Sequence, residues 1–124
     1  MKIIDFKTAS CKHCYKCVRS CSVKAIKVNV EILDFEFAGN NVNLGVLEKN
    51  ASMISDKKIG FGCVDSSVNE VDDKNDVDNL VKKAVEIVGK DNLLLDPDCG
   101  LRRAPKDVAF QKLKLMNDIK DKYS

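Results

Sequence analysis

Three apolar segments, each followed by a stretch with helical periodicity, constrain this chain more than any other feature. Glu31–Phe37, Lys58–Val64 and Asn92–Asp96 read as strands. Gly39-Asn40-Asn41 reads as a turn before a short helix over Asn43–Lys49, and Asp65–Lys74 as a polar loop. Val77, Leu80, Val81, Ala84 and Val88 recur at helical spacing, with Gly89 just beyond, which predicts a helix over Asp76–Val88. The run Leu93-Leu94-Leu95 does not alternate with polar residues, the pattern of a strand covered on both faces. A last helix is expected over Asp107–Lys122, burying Val108, Phe110, Leu113, Leu115, Met116 and Ile119. Successive βα units of this kind imply an α/β fold with a parallel sheet and right-handed crossovers.

Ahead of these units four cysteines fall within eleven residues, at Cys11, Cys14, Cys17 and Cys21. The spacing C-x2-C-x2-C-x3-C is that of the bacterial iron–sulfur run, in which thiolates hold the corners of a [4Fe–4S] cubane. A zinc site is the competing reading, although zinc more often uses two separated C-x2-C knuckles. A disulfide pair is disfavoured, because Met1 leads into Lys2-Ile3-Ile4-Asp5-Phe6 with no apolar signal region. The expectation is a cytoplasmic protein with metal-bound or free thiols. His13, the only histidine, reads as a solvated loop residue.

Charge divides the chain at about the same place. Residues 1–30 hold seven Lys/Arg against one acidic residue, Asp5, whereas the rest carries 14 basic and 18 acidic side chains. Two pieces follow, a segment over 1–29 and a βα segment over 30–124. The basic segment has only Tyr15 among its charges, so nucleic-acid binding is not expected. No apolar stretch reaches the ~18 residues of a membrane span.

Residues Cys11–Val28 resemble bacterial-type ferredoxin modules, with Ile3–Phe6 and Val23–Val30 as flanking strands. Two departures stand out. Ser22 replaces the usual proline, and no second cysteine run follows to share Cys21. Cys21 could complete one cluster, ligate a cluster in another chain, or be idle. In the last two cases Cys63, Cys99 or a ligand other than cysteine would be needed.

The segments ILDFEFAGNN, KIGFGCVDSS and LLLDPDCGLRRAPKDVAFQKL resemble the last part of the catalytic barrel of cobalamin-independent methionine synthase, in its archaeal and clostridial forms. The likeness runs over residues 30–122 and implies three βα units of a partial TIM-barrel-like sheet. It also implies methyl transfer to the homocysteine thiol at a catalytic zinc. That family binds zinc through an H-x-C pair, a glutamate and a final cysteine, and by position the last two fall on Glu36 and Cys99. A cysteine at the end of a barrel strand is where such folds collect functional groups. Pro97 is expected to stop the strand and Gly100 to permit a tight turn holding the Cys99 thiolate inward. Cys63 reads as core filler. Ser67 stands where bacterial members carry a histidine proton donor, and Asp65 either matches a family aspartate or caps the following loop.

No H-x-C occurs, since His13 and Cys14 are adjacent. Two ligands cannot hold a tetrahedral zinc tightly, and three βα units cannot close an eight-stranded barrel. The chain is therefore expected to be inactive alone. Three readings stay open: a methyltransferase segment completed by another polypeptide, an iron–sulfur electron carrier with a redox partner and a βα scaffold, or a recombined remnant.

Overall fold

The computed structural model describes residues 31–40 and 42–124. Cys11, Cys14, Cys17 and Cys21 lie outside the described residues, as do the two strands expected beside them. Three strands, β1 (Ile32–Glu36), β2 (Lys58–Val64) and β3 (Leu93–Pro97), pair in the order β1-β2-β3, both pairs parallel. Helices α1 (Val42–Asn50), α2 (Lys74–Val88) and α3 (Lys106–Tyr123) alternate with them. Among the described residues no helix is long and apolar enough to cross a membrane.

The β2 sequence KIGFGCV places Ile59, Phe61 and Cys63 on one face and Gly60 and Gly62 on the other. The apolar face packs against the helices. Ile59, Phe61, Cys63 and Val64 are buried with Phe37, Leu47 of α1, Val77, Val81 and Ala84 of α2, and Leu115, Met116 and Ile119 of α3. The Phe37 and Phe61 rings stack with centroids 4.3 Å apart, a geometry that adds about 0.5–1.5 kcal/mol to their buried area.

Helix α2 starts two residues earlier than its periodicity suggests. The Asp73 carboxylate accepts the amides of Asn75 and Asp76, which satisfies two orphan donors and draws Lys74 and Asn75 into the first turn. Gly89 closes the helix at φ +80°, a conformation glycine adopts without penalty, and its amide donates to the Val85 carbonyl.

Two expectations about burial are corrected. On α3, Phe110 is 69% exposed and Leu113 50% exposed, while Lys112 between them is fully buried. The helix turns the stripe Lys112, Leu115, Met116, Ile119 inward, leaving Phe110 and Leu113 on its outer side. Strand β3 is not covered on both faces either, since Leu94 is exposed while Leu93 and Leu95 pack on the core. No described helix covers the Leu94 face, where acidic side chains lie over Gly60 and Gly62, and β1 and β3 are both edges of the described sheet.

Candidate functional site

Parallel strands deliver all their carboxyl ends to one side of the sheet, so the segments after β1, β2 and β3 meet there. Glu36 ends β1, lies opposite Gly62 of β2, and is exposed. Gly62 in turn lies opposite Asp96 of β3. Beyond that pair the register slips, so that Val64 matches Pro97, two β2 steps to one on β3. This bulge re-aims the end of β3, and the amide of Asp98 continues the ladder by donating to the Val64 carbonyl at 3.0 Å.

Asp98 is the residue that ties this end together. Its Oδ1 accepts the amides of Phe37 at 2.9 Å and Ala38 at 3.1 Å, and its Oδ2 accepts that of Gly39 at 2.7 Å. Three successive amides aimed at one carboxylate form an anion nest, and hydrogen bonds to a charged group contribute about 1.5–3 kcal/mol each. The carboxylate reaches β1 by passing over Gly62. A Cβ there would collide with Asp98 Oδ1 and would stand 2.9 Å from both the Asp98 Cα and the Phe35 carbonyl oxygen. On the other side, the Asn43 side-chain amide donates to the Glu36 carbonyl at 2.8 Å.

The loop after β2 is pinned from beneath. Lys112 Nζ, with no solvent exposure, sits 2.7 Å from Asp72 Oδ2 and donates to the Asp65 carbonyl at 2.7 Å. Asp72 Oδ1 accepts the Asp65 amide at 2.7 Å. Asp65 caps its loop, one of the two roles open to it, by accepting both the amide and the hydroxyl of Ser67. Those two bonds hold its carboxyl below the usual range. Asp34 and Asp96 face each other across Gly60, where a Cβ would stand 2.8 and 3.0 Å from their oxygens. Burial first, then the Asp34 charge, raises the Asp96 pKa.

Cys99 is exposed, not held inward, and Gly100 has φ −59°, which any residue can adopt. The expectation of a glycine-dependent turn is thus corrected; the bulge and Asp98 set the path of the chain here. Cys99 opens onto a cleft of about 800 Å³ shared with Ser66, Ser67, Asn69, Gly100, Arg102 and Arg103. Cys63 is buried in the core, and burial pushes its thiol up to about 12, so it packs as a small apolar side chain.

As a metal site, the described residues fit in kind but not in number. A carboxylate and a thiol at the carboxyl ends of β1 and β3 are zinc-type donors. No group of three or more His, Cys, Asp or Glu among the described residues could hold a metal. Glu36 and Cys99 would supply two ligands, the others coming from outside the described residues. Sequence reasoning missed Asp98, Gly62, Lys112 and Asp72, whose partners lie up to 61 positions away.

The family model described as "Cobalamin-independent synthase, Catalytic domain" matches residues 4–122, a span that includes the four N-terminal cysteines. The methionine synthase of Methanothermobacter thermautotrophicus is 42% identical over 99 residues, covering 80% of this chain and 32% of the relative. That of Methanothermobacter marburgensis is 47% identical over 70% of this chain and 28% of its own. That of Methanocaldococcus jannaschii is 44% identical over 73% and 30%. A solved B12-independent methionine synthase from Shewanella, in complex with selenomethionine, superposes with a TM-score of 0.66 at 24% identity. The match covers 75% of this chain and 26% of that one, a likeness of fold. The chain spans about a third or less of the length of these relatives.

Proposed function

The chain belongs to the family of the cobalamin-independent synthase catalytic domain, and from that premise we propose that it forms part of a barrel transferring a methyl group to the homocysteine thiol. Glu36 and Cys99 are its contribution to a zinc site, and a segment carrying an H-x-C pair completes the ligand set. Zinc, when bound, lowers the pKa of a coordinating thiol and keeps it as the thiolate. The observation that carries the reading is the placement of Glu36 and Cys99 at the same end of one parallel sheet, with Asp98 bonded to the residues just after Glu36.

What this chain's own residues do follows from that placement. Cys99 presents its sulfur to the open cleft, where an incoming thiol and methyl donor can reach it. Asn43 and Asp98 grip the two ends of the peptide group that follows Glu36, its carbonyl and the Phe37 amide, which restricts where the Glu36 carboxylate can point. Lys112 and Asp72 keep the Asp65–Asp72 loop, one wall of the cleft, from collapsing.

Cadmium, a spectroscopically visible substitute for zinc, tests the assignment directly. In NMR titrations of the chain combined with a polypeptide that supplies the H-x-C pair, the resonances of both Cys99 and Glu36 should shift, and the response should vanish in Cys99→Ser. A titration that moves neither residue sinks the zinc assignment. For the N-terminal run, the [4Fe–4S] assignment of Cys11, Cys14, Cys17 and Cys21 stands as a separate proposal supported by their spacing.

A further inference from the structure

We infer that Asp98 is a positioning residue: its carboxylate, threaded over Gly62, locks the end of β1 to the turn that carries Cys99, so that Glu36 and Cys99 move as one body. The inference rests on the proposed pairing of Glu36 with Cys99, but the lock is defined by geometry alone.

The route is short and specific. Asp98 is adjacent in sequence to Cys99, and its two oxygens take the amides of Phe37, Ala38 and Gly39, the three residues after Glu36. The amides of Phe37 and Ala38 also reach the Gly62 carbonyl, at 3.1 and 3.0 Å, so each has a second acceptor. The Gly39 amide has Asp98 Oδ2 as its acceptor among the described residues, which makes it the most sensitive reporter of the lock. Gly62 is the second part of the device. It bears no side chain that could touch a ligand, yet any Cβ at this position displaces Asp98. A residue with no chemistry of its own should therefore reproduce the loss of Asp98.

Three substitutions in the full chain separate positioning from simple loss of stability, with the cadmium measurements made on the chain combined with a polypeptide that supplies the H-x-C pair. Asp98→Asn keeps one oxygen for Phe37 and Ala38 but turns an NH2 group toward the Gly39 amide. Asp98→Ala removes all three acceptors, and Gly62→Ala dislodges the intact carboxylate. Amide exchange at Gly39 should accelerate about tenfold or more in all three variants, the effect of losing one charge-assisted bond. In Asp98→Ala and Gly62→Ala, backbone order parameters should fall together over Glu36–Gly39 and Asp98–Gly100, with α2 unchanged. Cadmium affinity, followed at the Cys99 and Glu36 resonances, should drop about 10- to 100-fold, as for other groups that orient metal ligands. Asp98→Asn should lie between wild type and Asp98→Ala, a graded rescue that serves if the alanine variant does not fold.

Unchanged order parameters at Glu36–Gly39, or an unchanged cadmium affinity alongside faster Gly39 exchange, would overturn the inference. If wild type shows no cadmium response at Cys99, the zinc reading fails. The lock then stands or falls on whether the two segments loosen together.

Discussion

Replacing Lys112 with methionine is the sharpest stability test the fold offers. The methylene stem of Lys112 is matched in bulk by methionine, so packing changes little, while the ammonium is lost. Its Nζ sits 2.7 Å from Asp72 Oδ2, a carboxylate whose side chain is only 13% exposed. It also donates to the Asp65 carbonyl at 2.7 Å. Two hydrogen bonds from a charged donor, at about 1.5–3 kcal/mol each, suggest a loss of about 3–6 kcal/mol. The independent figure for removing one partner of a buried ion pair is about 3–5 kcal/mol. The two agree on about 4 kcal/mol, a large part of the ~5–15 kcal/mol that a domain commonly has. Urea denaturation followed by circular dichroism would measure it. Lys120→Met, at an exposed position on the same helix, serves as the control and should stay within about 0.5 kcal/mol. Pairing Lys112→Met with Asp72→Asn should recover part of the loss, because the stranded charge is then gone while an oxygen remains for the Asp65 amide. A Lys112→Met variant within about 1 kcal/mol of wild type would refute the claim that this ion pair pins the loop after β2.

Further outcomes are as specific. The Asp96 carboxyl is raised in the folded state, so the native protein binds its proton more tightly than the unfolded chain does. Its contribution is present below the unfolded value near 3.8 and is lost as pH rises through the folded value. Asp96→Asn should therefore gain stability relative to wild type as pH rises above the unfolded value; a difference that does not change with pH would contradict the reading. Asp78, held low by Lys122 and Tyr123, acts in the opposite sense: its contribution is present above the usual carboxyl range and lost on acidification below it. Tyr123→Phe should thus narrow the acid-side loss of stability, seen by pH titration of the unfolding midpoint. Iodoacetamide at about pH 8 should modify Cys99 and leave Cys63 untouched until denaturant is added, since Cys63 is buried with its thiol pushed to about 12. Peptide mass spectrometry reads both sites, and native labelling of Cys63 would contradict its burial. Anaerobically purified protein should carry about four irons and four sulfides per chain; one zinc and no iron would end the iron–sulfur proposal.

How far these features could be read from the sequence depended on how local their causes are. Strand β2 was legible to its ends, Lys58 and Val64, because a compact apolar run interrupted by glycines has few alternatives. The start of α2 was off by two residues because Asp73, a capping side chain, carries no hydrophobic signal. Burial on α3 was misread for a physical reason. Phe110 and Leu113 are apolar, but nothing described packs on their side, while Lys112 is charged yet meets two acceptors in the interior. Glu36 became a candidate ligand only through resemblance and Cys99 chiefly so, helped by its place at a strand's carboxyl end, since neither spacing nor periodicity marks them. Asp98 was in plain view within DPDCG, yet its partners lie about 60 residues earlier. Only the fold brings them together.

The most direct test of the account is methyl transfer to homocysteine by this chain alone and together with a polypeptide that carries the H-x-C strand and the rest of the barrel. The account predicts no methionine from the chain alone and turnover from the completed barrel, abolished by Cys99→Ser and strongly reduced by Glu36→Gln. Turnover by the chain alone, or a completed barrel that ignores Cys99→Ser, would contradict it.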